Sequence, residues 1–515
     1  MTTGQVYNEY NKIIHKIESN LLSRSFLLSK CLPEQVKKRI VQKIIELTIN
    51  EFSLLNTKDG DNEIGEKIIL NGVSINFCTG DVSISVKLVL KQLLVFILQW
   101  IKISYYLSKS LLLKSGKKEI VTVLIEAGGD YLGNDMDLVL FCRKGPIKKL
   151  HNGSIIIGSK CETKVKNDED IFYSKNALID AINHTTSVRQ RFYLLIMHSL
   201  FPFRLVSSFL SDRLSFLAIS DAAYIVVLDY LNKQNKLRDI FITTSSFSSQ
   251  PIWMRGLKEQ KFKLNMIWYS QNFIPKIYKG EEFRSDLPQA RHMRVDEHWV
   301  WTYGFSTYLK SIGQESIFHV VGPLLWYLPN AQLKDLSLNS FMSSEIHKPI
   351  RVAIFDVTPF VVSSISSVWG AIKNYYSLET ITKFINDILS LKNLIEELTN
   401  RKVIFYLKHK RPPKLNHHSS EYIKFIDSLV STREDFVLMA SETNLFNFIT
   451  SCDISVSVPY TTTAYVSSSL SKPGIYYDSS EELEPYYEKS EFVYYASGKT
   501  ELGNIFIKLL SADNK

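Results

Sequence analysis

Short, β-branched apolar runs alternate with helical stretches along the middle of the chain. The runs are Ile120 to Ile125, closed by Gly128 and Gly129, then Leu138 to Phe141, Ile155 to Ile157, Tyr224 to Leu228 and Ile240 to Thr243. Helical patterns separate several of them, among them Lys175 to His184 and the long Arg189 to Leu217. Uninterrupted apolar runs read as strands covered on both faces, and their alternation with helices predicts a mostly parallel sheet. Asn330 to Pro349 is polar and strand-free, and we place a linker there. Beyond it the same grammar returns: Val352 to Asp356, a helix Leu378 to Thr399, Lys402 to Leu407, a helix Ser420 to Ser431, Phe436 to Met439, a helix Thr443 to Ser451, Ile454 to Val458 and Gly474 to Tyr477. The fold class predicted is α/β, with two doubly wound, Rossmann-like domains facing each other over residues 116–335 and 346–515. Ligands of open parallel sheets sit beyond the carboxyl ends of the strands, so residues just after each strand are the ones to examine.

Residues 1–115 read differently, as a mainly helical extension with a candidate hairpin at Val73 to Val86. Val82 to Lys118 holds seven lysines and no acid on a strongly apolar body. On a continuous helix Lys87, Lys91, Lys102 and Lys109 fall within an arc of about 60°. That is the pattern of an interfacial helix on anionic lipid, and equally that of a core helix with one solvated edge. The longest uncharged apolar stretches, Gln92 to Ile101 and Phe192 to Phe203, are too short to span a bilayer.

Composition narrows the class. Of 515 residues 45% are apolar and 22% charged, with 15 prolines, which excludes disordered, collagenous and low-complexity chains. The net charge of +9 favours anionic partners without demanding nucleic acid. Five scattered cysteines form no C-x-x-C pair, and the opening residues show no secretory pattern, so we expect reduced thiols and a cytoplasmic chain. No P-loop, G-x-G-x-x-G, H-E-x-x-H or G-x-S-x-G is present.

The candidate chemistry clusters after strands. Lys408, His409, Lys410 and Arg411 follow one strand and are closed by Pro412 and Pro413, a cationic group placed to hold a phosphate. Pro459, Tyr460, Thr461, Thr462 and Thr463 lead from another strand into a Ser-rich helix, where hydroxyls and free N–H groups suit an anion, or merely cap the helix. Asp356 ends the first strand of the third block and either orients a sugar hydroxyl, assists proton transfer or caps its turn. Glu126 and Asp130 are the matching carboxylates on the opposite wall and the candidate catalytic base. Tyr269, Ser270 and Asn272, in the tract beginning at Trp268, offer aromatic and polar groups for a sugar or base. Asp135 and Asp137 form a D-x-D that precedes a strand instead of following one, so we assign no metal site.

Pro459 to Ala464, continuing to Lys472, Pro473, Gly474, Ile475, Tyr476, Tyr477 and Asp478, resembles the signature of the bacterial polysaccharide-biosynthesis PFTS-motif proteins. The Lys408 to Arg411 cluster, Phe355 to Pro359 and Trp268 to Asn272 also look similar to that family's pattern. Tyr460 and Thr462 stand where the family name has Phe and Ser. The resemblance implies a two-domain GT-B-like glycosyltransferase. More remotely the pattern is similar to sialyltransferases and Kdo transferases, which use CMP-activated acidic sugars without a metal, although they carry His-Pro where this chain has His409 and Lys410. It implies Lys408, Lys410 and Arg411 near the donor phosphate, with Thr461, Thr462 and Thr463 cradling it.

The expectation is therefore a metal-independent transferase in surface polysaccharide biosynthesis, moving a nonulosonic acid or Kdo-like sugar from CMP to a glycan or lipid-linked acceptor. The nucleotide sugar is its substrate and no further cofactor is assigned. The chain is expected in the cytoplasm, peripheral to the inner face of the membrane through residues 82–118. Alternatives are a UDP- or GDP-sugar transferase of the same fold and a noncatalytic, membrane-associated assembly protein. A nucleic-acid binder is disfavoured by the dispersed charge.

Overall fold

The computed structural model describes residues 14–22, most of 40–44, most of 67–125, 153–158, most of 171–242, parts of 253–290, 291–322, 348–359, 375–409, most of 419–485 and 491–512. Three described sheets organise them. The first is small and antiparallel: β1 (Lys67–Leu70), β2 (Val73–Asn76) and β3 (Val82–Ile84), the last two forming the expected hairpin. It feeds α1 (Val86–Ser110), which Ser85 caps by accepting from the Leu88 amide.

The second sheet is parallel throughout, in the order β10-β9-β8-β7-β4-β5-β6. Its strands are β4 (Val121–Ile125), β5 (Ser154–Gly158), β6 (Ile171–Ser174), β7 (Leu237–Ile242), β8 (Lys263–Ile267), β9 (Glu297–Val300) and β10 (Ile317–Val320). Between them lie α2 (Ala177–Thr185), α3 (Val188–Phe209), a 3-10 segment Arg213–Tyr224, α4 (Ile225–Lys233) and α5 (Tyr303–Ser311). The run Tyr224 to Leu228, expected as a strand, instead opens α4. Ile225, Val227, Leu228 and Leu231 are buried at helical spacing, a pattern that a short apolar run cannot distinguish from a strand. The long helix expected to reach Leu217 ends at Phe209, and the 3-10 segment follows it.

The third sheet is again parallel, in the order β13-β12-β11-β14-β15-β16. It comprises β11 (Ile350–Phe355), α6 (Leu378–Leu389), α7 (Lys392–Thr399), β12 (Val403–Lys408), α8 (Ser420–Thr432), β13 (Phe436–Met439), α9 (Leu445–Thr450), β14 (Ile454–Ser457), α10 (Thr463–Ser469), β15 (Gly474–Asp478), β16 (Val493–Ser497) and α11 (Gly498–Ala512). The single helix expected over Leu378 to Thr399 is two, separated at Ser390 and Leu391.

Both parallel sheets start in the middle and grow outward in two directions, the doubly wound order, so each has a switch point where the chain reverses: between β4 and β7, and between β11 and β14. Helices cover both faces, which is why β11 and β14 are buried almost end to end. Two parallel-sheet α/β halves thus follow an N-terminal, largely helical region, the GT-B-like arrangement expected. The N-terminal region shares its core with the first half: Ile17, Val41, Ile75, Phe96 and Ile103 belong to one apolar cluster with Val123, Ile182 and Ile240. A separate cluster fills one face of the third sheet, and a third draws on both large sheets, from Leu124, Phe241 and Trp299 to Phe355, Phe448 and Tyr476. The Lys279 amide also donates to the Glu482 carbonyl at 2.8 Å, tying the first half to the loop after β15.

Candidate active site

At the switch point of the third sheet, β11 is flanked by β12 on one side and β14 on the other, with Phe355 opposite both Lys408 and Ser457. Asp356, His409 and Val458 therefore emerge side by side. Asp356 is 3% exposed, and its Oδ2 accepts from His409 Nδ1 at 2.8 Å and from the Tyr422 hydroxyl at 2.6 Å, with Thr358 Oγ1 at 3.5 Å. His409 is 5% exposed and its ring meets Tyr422 edge-on. Tyr422 is delivered by the first turn of α8, whose N-cap Ser419 accepts from the Tyr422 amide while its own amide donates to the Pro359 carbonyl. That pair of bonds pins the helix start to the loop leaving β11.

Burial and the neighbouring Asp356 charge push the Tyr422 phenol well above its usual range, so it stays a donor at any working pH. With Nδ1 of His409 committed to the carboxylate, Nε2 is the nitrogen left over, and it has no hydrogen-bond partner among the described residues. A carboxylate that orients an imidazole in this way fixes its tautomer and the direction of its free nitrogen. The sequence singles out Asp356 and, within the cationic cluster, His409, but not their pairing, and Tyr422 not at all. Nothing local links the three, and only the neighbouring order of β11 and β12 brings them together.

Lys408 and His409, the described members of the basic cluster, point to opposite faces: Lys408 closes β12, and strand alternation turns it away from His409. Its ammonium donates to the Ser441 carbonyl at 2.8 Å, beyond β13. Lys410 and Arg411 lie outside the described residues.

After β14 the chain turns sharply. Tyr460 sits in the left-handed region at φ 64°, uncommon for a residue with a Cβ, and its hydroxyl anchors the turn on the Glu484 carbonyl. This is a bond that the Phe of the family name lacks. Thr461 donates to the Val458 carbonyl at 2.8 Å and shares a 3.3 Å contact with Thr463, so its hydroxyl serves the turn itself. Thr462 occupies the N-cap position of α10 without a side-chain capping bond. The Tyr476 hydroxyl reaches across from β15 to the Thr461 carbonyl at 2.6 Å. The threonines are brought to the switch point, and one of the three hydroxyls carries no hydrogen bond within the turn.

Glu126, Asp130, Tyr269, Ser270 and Asn272 lie outside the described residues, as do Asp135 and Asp137. Trp268, where the aromatic tract begins, is packed rather than presented: it is 1% exposed, and its indole N–H donates to His298 Nδ1 at 3.0 Å. No group of metal-ligating side chains occurs among the described residues.

No curated protein matches the chain in sequence. Among solved structures it is similar to the wall teichoic acid polymerase TagF (H548A), at 12% identity and TM-score 0.41 over 84% of this chain and 91% of that one. It is also similar to Anabaena Alr3699/HepE in complex with UDP and glucose, at 9% identity and TM-score 0.38 over 77% and 91%. The model of the polysaccharide biosynthesis PFTS motif proteins matches residues 203–506, a stretch holding most of the first parallel sheet, the Asp356–His409–Tyr422 cluster and the Pro459–Thr463 turn, and the chain belongs to that family.

Proposed function

We propose that the protein is a GT-B-type glycosyltransferase of polysaccharide biosynthesis, using a nucleotide sugar as donor and a glycan or lipid-linked acceptor. The observation that carries this reading is the Asp356–His409–Tyr422 cluster at the switch point of the carboxy-terminal sheet, where the neighbouring strand β14 leads into the turn that holds Thr462. In the reaction an acceptor hydroxyl oxygen attacks the anomeric carbon, the bond from that carbon to the donor phosphate oxygen breaks, and the electron pair leaves with the nucleotide. Negative charge thus grows on the phosphate, and donors already aimed at it stabilise the transition state more than the ground state. We assign that task to His409 through Nε2, to the Thr462 hydroxyl and to Lys410 and Arg411. The acceptor proton goes to a carboxylate of the amino-terminal half, Glu126 or Asp130. Tyr269, Ser270 and Asn272 are assigned to the sugar, and Lys408 supports the cluster from the opposite face of β12.

A CMP-linked nonulosonic acid or Kdo-like sugar is the first donor to test, with UDP- and GDP-sugars as the runner-up. Leaving-group charge is here assigned to side chains rather than to a divalent ion, so transfer is expected to survive chelation. The site of action is the cytoplasm, at the inner face of the membrane.

The test is a thermal-shift panel of CMP, UDP, GDP and ADP, because a ligand that binds only the folded state raises its melting temperature. One nucleotide should shift the wild type and fail to shift His409→Ala. A shift that His409→Ala retains in full, or no shift with any nucleotide, removes the reading.

A further inference from the structure

The two longest described helices are left with apolar faces that nothing among the described residues covers. On α1, Val86, Leu90, Leu94, Ile97, Leu98, Ile101 and Tyr105 are exposed, Leu90 at 61% and Leu98 at 58%. They form a stripe opposite Phe96, Ile103 and Leu107, which are buried. On α3, Val188, Phe192, Ile196, Leu200 and Phe203 are exposed at near-helical spacing, Phe203 at 77%. The helices run antiparallel and in contact: the Trp100 indole donates to the His198 carbonyl at 3.0 Å, and the Arg191 guanidinium reaches the Ser110 carbonyl at 2.7 Å. The two stripes therefore lie side by side as one apolar face, continued past the end of α1 by Leu112 and Leu113. A contiguous exposed apolar face of this kind marks an interaction surface.

We infer that this two-helix face docks the protein on an anionic lipid bilayer, lying in the headgroup region and not crossing it. Charge decides the occupant. Lys87, Lys91, Lys102 and Lys109 are exposed along one border of the α1 stripe, and Arg189 is exposed on α3. Neither helix contains an aspartate or glutamate. A second copy of the chain would set these cations against each other, whereas anionic headgroups complement every one of them. Tyr105, Phe192, Tyr193 and Phe203 supply the aromatic rings that favour the water–lipid boundary. No helix among the described residues is long and apolar enough to cross a membrane, which suits a face that lies on the surface. The inference stands apart from the donor site: it uses no residue of the carboxy-terminal sheet, and its readout requires no transfer.

The experiment is flotation of the full chain with vesicles of phosphatidylcholine alone and of phosphatidylcholine mixed with phosphatidylglycerol. The wild type should float with the anionic vesicles and stay behind with the neutral ones. Leu94→Glu with Leu98→Glu, both solvent-exposed in the free protein, should abolish flotation while circular dichroism and melting temperature hold. Replacing Lys87, Lys91, Lys102 and Lys109 by Gln should weaken binding by more than about tenfold and remove its salt dependence. Lys424→Gln with Lys499→Gln, on the other half of the molecule, should change nothing. The inference is overturned if the wild type ignores anionic vesicles or floats equally with neutral ones. It is also overturned if the Leu94 and Leu98 variant still floats, or if light scattering reveals a dimer that this variant dissociates while vesicles recover no protein.

Discussion

His409 Nδ1 and Asp356 Oδ2 are 2.8 Å apart although 53 residues separate them in the chain. Each is the first residue beyond its strand, and the strands β11 and β12 are hydrogen-bonded neighbours. The carboxylate thereby holds an imidazole and a phenol across two neighbouring elements. Burying a carboxylate is costly unless it is hydrogen-bonded, and His409 and Tyr422 both bond its Oδ2.

Removing either side of this arrangement should separate chemistry from folding. Asp356→Asn keeps the shape but no longer supplies the carboxylate that orients His409, and kcat should fall by about 10²–10⁴ with a smaller change in donor KM. Tyr422→Phe leaves His409 in place and deletes one charge-assisted hydrogen bond, so urea denaturation should show a loss of about 1.5–3 kcal/mol with a much milder kinetic effect. Equal kinetic losses in both variants would mean that the cluster acts only as a brace.

Within the Lys472 to Asp478 motif, Gly474 has a physical reason to lack a side chain. A Cβ built there would lie 2.5 Å from the Ala464 carbonyl oxygen and 2.8 Å from its Cα, the backbone of α10. The neighbouring strand β14, paired with β15, is itself tied to α10 by the 2.6 Å contact between Ser455 Oγ and Ser467 Oγ. Gly474→Ala must push α10 and its Thr462 end outward, costing about 1–3 kcal/mol in denaturation and weakening nucleotide binding in the same protein.

Arg191 is a buried guanidinium with no acidic partner among the described residues. It donates to the carbonyls of Ser110, Leu113, Lys114, Asn183 and Thr186, gathering the carboxyl ends of α1 and α2 at the start of α3. The negative ends of two helix dipoles take the place of a counter-ion. Arg191→Lys keeps the charge but cannot reach five acceptors, so calorimetry should record a loss of about 3 kcal/mol or more. The same variant should loosen the helix pair and lower vesicle binding.

Burial pulls the His298 imidazole down to about 3 from 6.5, with its bond to Gln314 opposing the shift. It is therefore neutral in the fold at neutral pH, accepting from Trp268 through Nδ1. As pH falls from 6.5 towards 3, the unfolded chain takes up a proton that the folded one refuses, and stability drops by about 1.4 kcal/mol per pH unit from this group. Above pH 6.5 it contributes no slope. Denaturation midpoints measured across that range should fall less steeply for His298→Asn, even though that variant starts from lower stability.

Much of the architecture was legible in the order of residues. Apolar runs at Val352 to Asp356, Lys402 to Leu407 and Ile454 to Val458 announced buried strands because only a sheet covered on both faces tolerates them. The basic and hydroxyl groups after those strands pointed to the carboxyl edge as the candidate site. Tyr224 to Leu228 escaped because five apolar residues satisfy either period, and the burial of Leu231 one turn later decides for the helix.

What only the tertiary structure decided is who stands beside whom. Parallel strands carry no local label for their neighbours, since each is joined to the next through a helix. The 3-2-1-4-5-6 order that sets Asp356 between His409 and the threonine turn is therefore invisible along the chain. The same holds for faces. Sequence alone determined that lysines edge an apolar helix; whether that helix was core or surface waited on α3, which packs against its flank and leaves both outer stripes in water. Local pattern sets the element, and long-range burial chooses its partners.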